Sequence, residues 1–168
     1  MYRTGDYVMK ANTGLCRIVD ISHLEGMDVD GSKLYYRMVP LSDEKANIYV
    51  PVDRETSAFR KVLNEEEAWE IIRDIPTTEA VQIDNDKQRE QEYKKALSSC
   101  SPKAWVSIIK TMYLRRQKRS AQGKKSTSMD ERYFKIAEDY LYSELALAIG
   151  RDKSEMKQVI AETVNTNS

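Results

Sequence analysis

One histidine, His23, and two cysteines, Cys16 and Cys100, are the only imidazole and thiols in this chain of 168 residues. The cysteines are too far apart for a ligand pair or a disulfide framework, and the histidine has no acid or second histidine at a ligand spacing. The six glycines form no phosphate-binding loop. Gly5 and Gly14 are too distant, and Gly123-Lys124-Lys125-Ser126 lacks an upstream glycine and strand. No run of 18 apolar residues occurs, so no membrane-spanning helix is expected. The start, Met1-Tyr2-Arg3-Thr4-Gly5-Asp6, has no signal-peptide stretch. These absences lead us to expect a reducing, cytoplasmic setting and no enzyme activity, cofactor or metal. One catalytic alternative is a hydrolase built on Cys100, whose thiol precedes the helix start Ser101-Pro102. No base stands near it in sequence, and retained function after Cys100→Ala would dismiss it.

Net charge is also lacking, with 27 basic and 27 acidic residues. The balance is uneven along the chain. Residues 1–79 carry 10 Lys and Arg against 15 Asp and Glu, and residues 80–168 carry 17 against 12. From Lys103 to Lys135, 10 basic residues face only Asp130 and Glu131. An acidic front and a basic back suggest two parts with different partners, the second a polyanion.

The chain is 40% hydrophobic and 32% charged, the composition of a folded protein rather than a disordered one. Its first 60 residues read as strands. Leu15, Arg17, Val19 and Ile21 alternate with Cys16, Ile18 and Asp20, and Leu34 to Val39 and Ile48 to Val50 are rich in β-formers. Turns are marked by Gly5-Asp6, Thr13-Gly14 and Asp30-Gly31, and Pro40 and Pro51 end strands. After Val52 the period becomes helical. Asn64 and Glu67 form a capping box before Ala68, Ile71, Ile72 and Ile75, and Pro76 ends that helix. A second helix spans about Asn85 to Leu97. A third begins at Ser101-Pro102 and places Trp105, Ile108, Ile109, Met112 and Tyr113 on one apolar face. Ser120 to Ser128 reads as a loop, Ser128 with Glu131 as another capping box, Gly150 as a stop, and Asp152 with Glu155 as the last start. Trp69 and Trp105 are expected in the core. The fold class is α+β: a small β-barrel over residues 1–60, then a bundle of four or five helices over 61–168, with the linker and first helix at about 61–80.

Arg115, Arg116, Lys118 and Arg119 end one helix, Lys124 and Lys125 occupy the next loop, and Arg132 and Lys135 begin the following helix. Antiparallel packing would gather them at one end of the bundle, ready for phosphate. Complementing a helix dipole accounts for two or three of them but not for the loop lysines. Lys87, Arg89, Lys94 and Lys95 alternate with Asp86, Glu90 and Glu92, the pattern of a solvated helix face.

These features together resemble the CarD/CdnL family of bacterial RNA-polymerase-binding transcription regulators. Gly5-Asp6-Tyr7-Val8, Cys16-Arg17-Ile18-Val19, Leu34-Tyr35-Tyr36 and Ile48-Tyr49-Val50-Pro51 resemble its Tudor-like, SH3-like module, which the transcription-repair coupling factor shares. Ile108-Ile109-Lys110, Leu114-Arg115-Arg116 and Ser143-Glu144-Leu145-Ala146-Leu147-Ala148 resemble its helical domain. The sequence has no dimer signature, so a monomer is expected, and the resemblance implies docking on the RNA polymerase β subunit by strand addition through Ile48, Tyr49 and Val50, with His23 on the same module. It implies promoter DNA contacts at the open complex, with Arg89, Tyr93 and Lys94 at matching positions, and these join Arg115, Arg116, Lys118, Arg119, Lys124, Lys125 and Arg132 of the basic cluster, whose phosphate contacts are expected to be largely independent of sequence. Two departures stand out. Arg89 occupies the position of the family's wedge tryptophan, and Tyr49 replaces an arginine before Val-Pro. The competing reading is an adaptor with a Tudor-like module that never touches DNA, marked by DNA affinity that is absent or does not fall with salt.

Overall fold

Alternating apolar side chains in the first part of the chain build a curled antiparallel sheet. In the computed structural model, which describes residues 1–26 and 31–166, this part is the unit Met1–Val62, and the helices form a second unit, Leu63–Ser168. The sheet contains β1 (Tyr7–Lys10), β2 (Gly14–His23), β3 (Leu34–Pro40) and β4 (Ile48–Pro51). A one-turn helix, α1 (Glu55–Ala58), leads to β5 (Phe59–Lys61), and the strand order is β4-β3-β2-β1-β5. Val8, Cys16, Ile18, Tyr36, Met38, Val50 and Phe59 face inward as a closed core. Cys16 is fully buried there, a small apolar filler rather than a nucleophile. The register of β2 on β3 shifts between Ile18 and Asp20, a bulge that bends β2 and curls the sheet. Gly14 opens β2 at φ +99°, a conformation that costs other residues a Cβ clash.

Two of these strands, β1 and β5, were not marked by the sequence pattern. They run only four and three residues, too short to display a period. The Asp30-Gly31 turn falls partly outside the described residues, since only Gly31 is among them. Tyr2, Tyr36 and Phe59 pack ring on ring at 5.1 to 6.1 Å, and the Tyr36 hydroxyl donates to Glu55 on α1.

The second unit contains α2 (Glu65–Asp74), α3 (Asp86–Ser98), α4 (Pro102–Ala121), α5 (Ser128–Ile149) and α6 (Met156–Thr166). α5 is central and packs against α2, α3, α4 and α6. Its inner face supplies Ala137, Leu141 and Leu145, and α4 adds Trp105, Ile108 and Met112. The Asn64–Glu67 capping box is present with both hydrogen bonds. Several starts and stops differ from the sequence pattern. Thr127 rather than Ser128 caps α5, because its Oγ1 accepts from the Asp130 amide at 3.1 Å. α4 runs on through Ser120 and Ala121. Asp152 caps a 3-10 turn, Lys153–Glu155, ahead of α6. Gly150 ends α5 at φ +70° as expected.

Two side chains leave the expected core. Trp69 is half-buried. Tyr113 is 50% exposed, because it lies about 100° around α4 from Met112, beyond the stripe of Trp105, Ile108 and Met112. The sharpest packing feature is Glu144, fully buried in α5, which accepts a 2.9 Å hydrogen bond from the Leu63 amide. A carboxylate inside the bundle is tolerable only with such partners, and it ties the entry of α2 to α5. We expect Glu144→Ala to lower stability by about 2–3 kcal/mol in urea unfolding, and Glu144→Gln by less, because an amide oxygen still accepts from Leu63.

Candidate functional site

Three helix ends meet in the second unit: the first turns of α3 and α5 and the last turns of α4. α4 and α5 are joined by the short loop Gln122–Thr127, so they pack antiparallel, and Arg115 on α4 reaches both Asp86 on α3 and Asp130 on α5. Arg115 Nε lies 2.8 Å from Asp130 Oδ2, an ion pair bent off the line of a hydrogen bond, and Nη1 lies 3.3 Å from Asp86 Oδ1. The Tyr93 hydroxyl donates to the other Asp130 oxygen at 2.7 Å. Arg89 Nε donates to Asp86 Oδ1 at 3.1 Å and also approaches the Tyr93 hydroxyl. Asp86, Arg89, Tyr93, Asp130 and Arg115 thus close a ring across α3, α4 and α5.

The environment of this ring differs from one side to the other. Asp130 and Tyr93 are buried, while Asp86 is open to solvent. Hydrogen bonds from Arg89 and then Arg115 hold the Asp86 carboxyl below its ordinary pKa. Burial, reinforced by the hydrogen bond to Asp130, pushes the Tyr93 phenol up to about 12.

Outside the ring lies a second layer of cations. Lys94 and Arg132 share Glu90, at 3.3 and 3.5 Å, so α3 and α5 are linked again at the surface. Arg132 covers the Tyr133 ring at 5.0 Å. Arg116 pairs with Glu131 at 3.0 Å and lies 4.4 Å over the Phe134 ring. Arg119 donates to the Lys125 carbonyl at 2.9 Å, and the Lys124 amide donates to the Arg119 carbonyl at 2.8 Å, which folds the loop back on α4. Lys118, Lys124 and Lys125 are exposed and form no ion pair among the described residues.

Of the residues proposed from sequence for DNA, the structure therefore gathers most at one end but gives them different positions. Tyr93 is 1% exposed and Arg115 and Arg89 are largely covered, so these three sit beneath the face rather than on it. Arg116, Arg132 and Lys94 are on the face with carboxylate partners, and Lys118, Lys124 and Lys125 are on it without. Sequence reasoning missed Asp86 and Asp130 as organising groups. Asp130 had a signal, as one of two acids between Lys103 and Lys135, whereas Asp86 had only its place at a helix start.

The division into an acidic front and a basic back is also corrected. Residues 1–62 hold nine basic and nine acidic residues, so the β unit is neutral. The excess acid lies in Glu65, Glu66, Glu67, Glu70, Asp74 and Glu79. The first three occupy the opening turn of α2, where they complement its dipole.

In the first unit β4 is an edge strand, paired on one side only, with β3. Val50 turns into the core and Tyr49 outward, 47% exposed, opposite Arg37. This short open edge leaves backbone groups for a further strand. His23 lies elsewhere, at the end of β2 opposite Leu34 and across β3 from β4. Its Nδ1 is 3.0 Å from the Lys33 carbonyl, which ties the two strand ends together.

Among the described residues no cluster of His, Cys, Asp and Glu is suited to a metal, and no helix is long and apolar enough to cross a membrane. Cys100 adopts φ +54° and is partly buried. Comparison with protein families matches residues 2–63 to the CarD-like/TRCF RID domain and residues 67–161 to the CarD C-terminal domain. No curated protein matches the chain.

The ring leads to two expectations. Asp130→Ala leaves the largely covered Arg115 with only the exposed Asp86 and the buried Tyr93 hydroxyl without its acceptor, and should cost about 3 kcal/mol in urea unfolding, with Tyr93→Phe costing about 1. Because the folded state raises the Tyr93 pKa, its contribution to stability is complete below pH 10 and is lost as the pH climbs towards 12. An ultraviolet titration of the native protein should show a phenol ionising near pH 12 that Tyr93→Phe removes.

Proposed function

The chain belongs to the CarD family and is an RNA-polymerase-interacting transcription regulator, and on that premise we propose that it acts without catalysis as a bridge between the polymerase β subunit and promoter DNA, modulating the open complex. The observation that carries the reading is the meeting of α3, α4 and α5. Cations from three helices and one loop share an end, and Lys118, Lys124 and Lys125 are exposed there with no ion-pair partner among the described residues. Phosphates would be bound by charge alone, with affinity that falls with salt and little dependence on sequence. Arg89 is held by Asp86 and points no aromatic at a base step, so this position contributes order rather than intercalation. On the β unit, the open edge of β4 offers the backbone to a strand of the β subunit, with Tyr49 lying outward beside it.

A second reading, an adaptor that binds two proteins, draws support from the carboxylates paired with Arg115, Arg116 and Arg132. The two readings separate by salt dependence. We expect the full chain to bind duplex DNA, and Lys118→Gln, Lys124→Gln and Lys125→Gln each to reduce the slope of log affinity against log salt by about 1.

The bridge is tested by separating its ends. Tyr49→Asp places a charge at the sheet edge and should abolish capture of RNA polymerase while leaving DNA binding intact. The triple change of Lys118, Lys124 and Lys125 to Glu should do the reverse. Loss of both interactions in either variant, or of neither, would overturn the bridge.

A further inference from the structure

α4 carries an exposed face that the cation cluster does not explain. Tyr113 and Leu114 are 50% and 54% exposed, adjacent in sequence, just ahead of the arginines that end the helix. The Tyr113 hydroxyl accepts from Gln117 Nε2 at 3.0 Å, one turn further on, so the ring is held along the helix. Lys118 follows one turn after Leu114, and Lys124 and Lys125 lie beyond the helix end. No Asp or Glu occurs from Tyr93 through Met129, so this face carries no carboxylate of its own helix or loop.

An anchored aromatic ring and an aliphatic side chain bordered by free lysines match a partner with two properties, an anionic backbone and flat apolar faces along it. A paired duplex offers the first and hides the second, because its base faces are stacked. A separated strand offers both. An anionic membrane surface would need a broader apolar stripe, whereas of α4's remaining large apolar side chains only Ile109 is partly exposed and Trp105, Val106, Ile108 and Met112 turn inward.

We propose that the outward face of α4 is a platform for single-stranded nucleic acid, with Tyr113 stacking a base, Leu114 packing beside it, and Lys118, Lys124 and Lys125 holding phosphates. This deepens the reading of the basic end as a nucleic-acid surface and rests on it. It assigns the ring of Asp86, Arg89, Tyr93, Asp130 and Arg115 the role of fixing α4 while its outer face binds.

The test uses the full chain with two fluorescent DNA probes, an oligothymidine strand and a hairpin duplex of equal charge, read by anisotropy across salt. Tyr113→Ala should weaken strand binding about tenfold and duplex binding less than about twofold. Tyr113→Phe, which keeps the ring, should bind the strand like the parent chain. Lys118→Gln should weaken both probes alike. Because Tyr113 is outside the core, a circular dichroism melt of Tyr113→Ala should match the parent, which keeps the comparison one of binding. Unchanged strand binding by Tyr113→Ala, or equal losses on both probes, would overturn the platform while leaving the basic end intact. Failure of the parent chain to bind either probe at low salt would overturn the nucleic-acid reading as well. Capture by phosphatidylglycerol vesicles that depends on Tyr113, with strand binding unmoved, would assign the face to a membrane surface instead.

Discussion

Asp130 is a carboxylate in the first turn of a helix, buried to 5% exposure, and it persists there because two partners from two other helices converge on it. The Tyr93 hydroxyl satisfies one oxygen and the Arg115 guanidinium neutralises the other. Without them the acid would face a desolvation cost of several kcal/mol, and with them it becomes the point through which α3, α4 and α5 are held in register. The cationic surface inherits its geometry from this point. Arg116 is one residue from Arg115, Glu131 one from Asp130, and Lys94 one from Tyr93, so each surface residue sits directly beside a ring member.

This arrangement explains how a bundle with no net charge presents a positive face. The acids are used underneath or as paired neighbours, where they fix the orientation of arginines. The charge left over belongs to lysines whose flexible stems suit a phosphate backbone that varies in position. Surface ion pairs such as Arg132 with Glu90 add little to stability, about 0–1 kcal/mol. Their contribution is to hold arginine stems against the Tyr133 and Phe134 rings rather than to strengthen the fold. The β unit has a different logic. Its sheet is balanced in charge, and its open feature is backbone at the β4 edge, which offers hydrogen bonds rather than charge.

Much was legible in the primary structure because it rests on local rules. The Asn64–Glu67 box, the Ser101-Pro102 start and the Gly150 stop involve residues within one turn of each other, so spacing alone reveals them. Long strands and helices show their periods, whereas β1 and β5 are shorter than a pattern can register. The cap of α5 fell one residue early, at Thr127, because two neighbouring hydroxyl residues compete for the same amides and only the backbone geometry chooses. The family resemblance was carried in part by the run around Glu144, whose buried contact with the Leu63 amide spans 81 positions and has no signature in spacing.

The order of amino acids by itself determined the division into a β part and a helical part, the gathering of lysines and arginines around one helix-loop-helix, and the scarcity of histidine and cysteine. Those follow from composition and from interactions between near neighbours. Tertiary packing decided which of the cations are available. Arg115 is indistinguishable in sequence from Arg116 and Lys118, yet Asp86 and Asp130 from two other helices take it beneath the surface and leave the others outside, while Arg89, which reads in sequence as part of a solvated helix face, is held down by Asp86 of its own helix. Packing also turned Tyr113 out while keeping Met112 in, because a helix rotates about 100° per residue and the core accepts only one side of it.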